Sequence, residues 1–226
     1  MNQLKLNENS CHKIITFNNF MDLAELTLNY IKSGSVAISG GSTYAALFDK
    51  WQNLNPNCKH SCFFPVDERI VPINDVDSNW GVAYNSFLKP IDREIDKENF
   101  ADTLDHYQQI LDKKFNNQLP IFDVIFLGVG DDGHTASLFP GLQCLDDRIS
   151  TLLQTISPKP PYNRITLAPK VLLSAKNLIT IVAGKNKTEI AKKIFIDKDQ
   201  NLPIVRLLSE RTESTIYLER ELADSL

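Results

Sequence analysis

His134 is flanked by groups that could make it a proton acceptor. It follows Asp132 by two residues, inside the glycine-broken run Gly128-Val129-Gly130-Asp131-Asp132-Gly133-His134. An imidazole positioned by a carboxylate is suited to general base work near neutral pH. The apolar run Val124 to Leu127 just before it reads as a buried strand of a parallel sheet. Ligands of open α/β sheets bind at the carboxyl ends of strands, where such a loop falls. Gly128, Gly130 and Gly133 also match the spacing of a dinucleotide fingerprint. Asp131 and Asp132 stand where a pyrophosphate would approach, and Pro140-Gly141 stops the following segment within two turns, so a nucleotide site is not expected.

A second set of residues is suited to holding an anion. Val36-Ala37-Ile38 reads as a strand, Ser39-Gly40-Gly41-Ser42-Thr43 as a turn, and Tyr44 to Trp51 as a helix. A helix N-terminus after such a turn presents backbone N–H donors and partial positive charge to an anion. No lysine of the ATPase phosphate-loop type follows the glycines. Asp67-Glu68-Arg69, after the strand candidate Cys62 to Val66, could bring a guanidinium to the same cleft, with the acids holding it in place. The apolar run Leu178 to Ala183 ends in Gly184-Lys185-Asn186-Lys187, which opens a helix from Thr188 to Phe195. Lys187 could approach the sheet edge that His134 faces, with Lys185 as its local rival.

These residues need a scaffold. Asn19 reads as the cap of a first helix that ends at Ser33-Gly34. Further helices are expected over about 80–88, 100–116 and 169–175; His106 lies off the apolar face of the second. Leu152 to Ile156, Pro203 to Leu208 and Thr215 to Leu218 read as strands. Strands alternating with helices predict an α/β fold: a mostly parallel central sheet with helices on both faces, three-layered and Rossmann-like. No repeat or linker interrupts the chain, so one domain spanning 1–226 is expected.

Composition narrows the function. The formal net charge of −4 argues against a general nucleic-acid binder. No apolar run approaches the length of a membrane span, and MNQLKLNENSCHK has no apolar signal core, so a cytoplasmic protein is expected. Cys11, Cys58, Cys62 and Cys144 show no paired framework and read as reduced thiols. Cys58-Lys59-His60-Ser61-Cys62 lacks a second ligand pair at zinc-like spacing, so no metal site is expected.

Taken together, SGGST (Ser39 to Thr43), DERIVP (Asp67 to Pro72) with Ser78-Asn79, GVGDDGHTASLFPG (Gly128 to Gly141) and PKPPYNRIT (Pro158 to Thr166) resemble, in order, the motifs of the 6-phosphogluconolactonase family. GKNK (Gly184 to Lys187) adds a weaker match. Tyr44 departs from the proline common in the family after the threonine. The related glucosamine-6-phosphate deaminases carry a glutamate five residues beyond the histidine, where this chain has Phe139, and an aromatic residue where it has Arg69.

The resemblance implies hydrolysis of 6-phosphoglucono-δ-lactone to 6-phosphogluconate in the oxidative pentose phosphate pathway, without metal or cofactor. It implies His134 as the base activating water, with Asp132 orienting either the site or the imidazole. Gly40, Gly41, Ser42, Thr43, Asp67, Arg69, Gly130, Arg164 and Lys187 become the substrate-binding set. Lys187, Arg164 or Arg69 would neutralise the phosphate, and loop N–H groups or Arg69 would meet the oxyanion. The competing expectations are a sugar-phosphate deaminase or isomerase and a non-catalytic sugar-phosphate binder. The expected partner is the small phosphorylated lactone, not nucleic acid or membrane; oligomeric state is not legible.

Overall fold

Apolar residues in the central strands face both ways, which commits the sheet to cover on both sides. The computed structural model describes residues 2–226, less the side chains at 94, 95, 143 and 144. The chain opens with β1 (Gln3–Leu4), β2 (His12–Phe17), α1 (Phe20–Thr27), β3 (Ser33–Ile38) and α2 (Ser42–Asn53). Then come β4 (His60–Pro65), β5 (Asp67–Arg69), α3 (Asn79–Ala83), α4 (Leu104–Phe115) and β6 (Val124–Gly128). β7 (Leu152–Ile156), β8 (Asn163–Leu167), α5 (Pro169–Ser174), β9 (Asn177–Val182) and α6 (Thr188–Lys192) follow. α7 (Pro203–Ser209), β10 (Thr215–Glu219) and α8 (Arg220–Ala223) complete it.

Seven strands form the main sheet in the order β1-β2-β10-β9-β6-β3-β4, parallel except for β1 at the edge. Val36, Ile38, Val124, Phe126, Ile179 and Ile181 face one core, with Trp51, Phe48 and Phe87. Ala37, Ile125, Leu127, Leu178 and Val182 face the other, with Leu111 and Val205. The α/β class and its mostly parallel sheet agree with the sequence. The chain runs outward from β3 to β4, then crosses back to β6 on the other side of β3. Strand order therefore reverses between β3 and β6, and the loops after these two strands lie side by side at their carboxyl ends.

Several elements differ from expectation. Pro203 to Leu208 is helical, α7, not a strand. Its apolar run cannot set a period, but Pro203 at the helix start and the crossover from parallel β9 to β10 both call for a helix. The first helix keeps its Asn19 cap but ends earlier; Ser33 and Gly34 belong to β3. The sequence also left β1 and β2 unread. β5, β8 and β7 form a separate antiparallel sheet, because the chain leaves the main sheet at Val66, beyond Pro65. Cys11, Cys58 and Cys62 are free thiols, while Cys144 lies outside the described residues. Among the described residues no helix is long and apolar enough to cross a membrane, and no His, Cys, Asp and Glu cluster could hold a metal ion.

Glu68 joins β5 to α3. Fully buried, its carboxyl accepts from the backbone N–H of Arg69, Asn79 and Trp80 and from the Ser78 hydroxyl, at 2.7–3.0 Å. It thus caps α3 and does not hold the Arg69 guanidinium, as the sequence had suggested. Burial pushes this carboxyl up to about 7, from about 4.3 in an unfolded chain. The folded state binds the proton more tightly, so this stabilisation is present in full below about pH 4 and is lost as pH rises through about 7. That amounts to on the order of 3 kcal/mol. In urea denaturation, the natural chain should lose more stability between about pH 5 and about pH 8 than Glu68→Gln does. Glu68→Gln should itself be less stable by about 1–3 kcal/mol, having one acceptor oxygen for four donors. Parallel pH dependence in the two proteins would contradict this role.

Candidate functional site

The loop after β6 is fixed by its own backbone. Gly130 N–H donates to the His134 carbonyl at 2.8 Å, and Gly133, at φ +81°, donates to the Gly130 carbonyl at 3.0 Å. A side chain on Gly130 would put its Cβ 2.0 Å from His134 Nδ1, so glycine is what lets the imidazole lie across the turn. Asp132 Oδ1 accepts from the His134 backbone N–H at 3.1 Å and lies 2.5 Å from His134 Nδ1. A carboxylate only accepts, so Nδ1 carries the proton and Nε2 keeps its lone pair. Of the two options for Asp132, the contact it makes is with the imidazole. The His134 bond pulls the Asp132 carboxyl down to about 2. Phe139 packs its ring 4.9 Å from the imidazole.

The loop after β3 lies alongside. Ser39 Oγ donates to the Phe126 carbonyl at 2.9 Å, stitching it to the end of β6. α2 then starts at Ser42 behind Gly41, whose φ of +85° suits glycine, and no side chain caps its first N–H groups. Gly40 is pressed against Asn79: a Cβ there would fall 2.0 Å from Asn79 Oδ1.

Three cations surround this helix start and the histidine. Arg69 and Arg164 stand opposite each other on β5 and β8. Arg69 Nη1 donates to the Asp77 carbonyl at 2.6 Å, and the buried Nε atoms of both arginines have no partner among the described residues. Burial, then the neighbouring Arg69, pushes the Arg164 guanidinium down to about 10. Lys187 pairs with Asp131, which also accepts from Asn186 at 2.9 Å. The lysine draws the Asp131 carboxyl below its usual range. Lys185 instead reaches Glu221 at 3.4 Å, largely exposed, and lines neither of the cavities described next.

His134, Asp132 and the whole substrate-binding set expected from the sequence line two adjoining cavities of about 220 and 260 Å³. Asp67, Arg69, Gly130, His134 and Lys187 line both; Gly40, Gly41, Ser42 and Thr43 belong to the first, Asp132 and Arg164 to the second. A larger cavity, about 720 Å³ between β4 and α4, contains none of them. Sequence reasoning missed Ser137, whose hydroxyl donates to Asp67 Oδ2 at 2.7 Å, and Lys159 on the wall of the second cavity. It also read Asp131 only as a repulsive charge, although that carboxylate holds Lys187. Ser137, Lys159 and Asn79, which lines the first cavity, each had a signal through a place in a matched motif.

The His134–Asp132 bond can be checked without any substrate. Carbon-13 NMR should show the Asp132 carboxyl titrating at about 2, and His134→Ala should return it toward the ordinary value of about 3.9. An unchanged titration in the variant would mean that the bond does not hold in solution.

The cleft can be set beside known proteins. A sequence model described as glucosamine-6-phosphate isomerases/6-phosphogluconolactonase matches residues 16–217. The chain is 33% identical over 212 residues to 6-phosphogluconolactonase 4 of Saccharomyces cerevisiae, covering 83% of this chain and 82% of the relative. It is 34% identical over 180 residues to 6-phosphogluconolactonase of Borreliella burgdorferi, covering 74% and 75%. The structure of 6-phosphogluconolactonase from Trypanosoma brucei superposes with a TM-score of 0.74 at 25% identity, covering 94% of this chain and 98% of that one. With matched sequence across nearly its whole length and a shared fold, the chain belongs to the glucosamine-6-phosphate isomerase/6-phosphogluconolactonase family.

Proposed function

We propose that this chain hydrolyses 6-phosphoglucono-δ-lactone to 6-phosphogluconate, as a single cytoplasmic domain over residues 1–226. The relatives named 6-phosphogluconolactonase support the reaction. The observation that carries the mechanism is the His134–Asp132 pair, which commits Nδ1 and leaves Nε2 as a base in the cleft that holds the α2 start and three cations.

His134 Nε2 takes a proton from water as the water oxygen attacks the lactone carbonyl. The carbon becomes tetrahedral and its oxygen anionic. On collapse the ring C–O bond breaks, and the imidazolium returns its proton to the departing ring oxygen. The new carboxylic acid then loses a proton to solvent. Asp132 stabilises the transient imidazolium through Nδ1 and remains a carboxylate throughout. The 6-phosphate sits on the uncapped N–H groups and hydroxyls of Ser42 and Thr43, with Gly40 and Gly41 allowing its approach. Lys187, held by Asp131, supplies the adjoining positive charge. Arg69 and Arg164, on the facing wall, offset the rest of the substrate's charge. Asp67, tied to Ser137, is left to accept from a sugar hydroxyl. An ester-like lactone with an activated water needs no cofactor for these steps.

The deaminase reading loses support at Phe139, which cannot supply the carboxylate that the deaminase pattern places there. Incubation with glucosamine 6-phosphate should therefore release no ammonia above a blank; release at a rate comparable to lactone opening would overturn the assignment. His134→Ala should lower kcat by ~10²–10⁴-fold over the spontaneous background, with phosphate binding largely kept. A folded variant of near-normal kcat removes His134 from the role of base. Lys187→Ala should raise KM far more than it lowers kcat, because phosphate contacts are largely uniform binding. On a lactone lacking the phosphate, variant and parent should be equal. Similar losses on both substrates would place Lys187 in folding or chemistry.

A further inference from the structure

We propose that the backbone N–H of Ala136 is the oxyanion donor of the lactone hydrolysis, an inference that rests on that proposed reaction. It comes from accounting for the amides of residues 133–138, the stretch that carries the base. Gly133 N–H donates to the Gly130 carbonyl, and His134 N–H to Asp132 Oδ1. Thr135 and Leu138 exchange backbone bonds at 3.4 and 3.0 Å, and Ser137 N–H donates to Thr166 Oγ1 at 3.3 Å. Ala136 alone in this stretch makes no such bond among the described residues, although it is only 9% exposed. A buried backbone donor ordinarily has an acceptor, so one without a partner beside a substrate cavity points to a ligand atom.

Conformation and position agree with this reading. Ala136 lies at φ +51°, a left-handed conformation that alanine adopts only when its neighbours impose it. Those neighbours are tied down: Thr135 Oγ1 donates to the Gly128 carbonyl at 2.9 Å, Ser137 Oγ to Asp67 at 2.7 Å, and Thr155 Oγ1 to the Ser137 carbonyl at 2.9 Å. Strain of this kind, held by three separate strands, keeps one peptide in a fixed orientation two residues from the base. Ala136 lines both cavities, where the base and the cations converge. The nearby Gly130 amide is not available, since it is committed to the His134 carbonyl. A preorganised amide costs no reorganisation as charge develops on the carbonyl oxygen, which is what an oxyanion donor requires.

The test removes the donor and leaves the side chain. Ala136→lactic acid, introduced by suppression with the α-hydroxy acid, replaces the amide N–H by an ester oxygen; suppression with alanine supplies the reference. Expected is a fall in kcat of ~10²–10³-fold with KM changed only a few-fold. A kcat within about threefold of the reference overturns the proposal. Should the ester chain fail to fold, the natural protein answers through its Ala136 amide resonance. That proton should move downfield with 6-phosphogluconate, whose carboxylate would occupy the oxyanion position, and not with inorganic phosphate. No shift, or the same shift with both, overturns it equally. If the reference protein does not open the lactone at all, the proposed reaction fails, and that failure is seen before the variant is measured.

Discussion

The parallel pairing of β3 with β6 is the constraint on which the site depends. These strands are far apart in the chain, yet Val36 to Ile38 lie in register with Val124 to Phe126. The order of the sheet reverses there, so the loops leaving the two strands cannot be separated by a crossover. One loop ends in a helix start with unused N–H donors, the other in an imidazole with one free nitrogen. Neither is a site by itself. The bond from Ser39 Oγ to the Phe126 carbonyl holds them together at the point of divergence.

The small antiparallel sheet then closes the cleft from the side. It brings Arg69 and Arg164 into opposition, a repulsive arrangement between the two guanidiniums that an anionic substrate would relieve. It also braces the histidine loop, since Asp67, Thr155 and Thr166 all bond to Ser137 or its peptide. Glu68, between Asp67 and Arg69, faces inward and fastens α3, so three consecutive residues serve three neighbours. Asp67, Ser137, Thr155 and Thr166 are bonded into one network, which restricts this part of the wall, while the buried Nε atoms of Arg69 and Arg164 have no partner among the described residues.

The electrostatics of the glycine-rich loop follow the same economy. Asp131 and Asp132 sit where a phosphate-binding loop would tolerate no acid, and each is matched to a specific cation or donor. Asp131 partners Lys187 at the cleft, the lysine being the more buried of the two. Asp132 fixes the tautomer on which the base role proposed for the histidine depends. Charge that looks unfavourable in the linear chain therefore becomes orientation once folded.

How much of this was legible follows from the range of each interaction. Local signals sufficed for β6 and β9, whose unbroken apolar runs suit buried parallel strands, and for α1 and α4, where a cap or an apolar stripe is written into neighbouring residues. Gly41 and Gly130 and the nearness of the histidine to its aspartate were readable for the same reason, because they lie within a few positions, whereas the contact Asp132 makes was left open until the fold placed it. Pro203 to Leu208 was misread, since a short apolar run broken only by Arg206 suits either element, and Pro203 at the helix start together with the crossover to β10 decides it. The small sheet was equally hidden: β5 is three residues long, and its partner lies nearly a hundred positions away. The sequence by itself thus determined the chemical groups, the α/β class and the local geometry of each loop. The tertiary structure alone decided that Asp131 holds Lys187, that Ser137 braces Asp67, and that the Ala136 amide is left without an acceptor, because each depends on strands whose pairing no local pattern specifies.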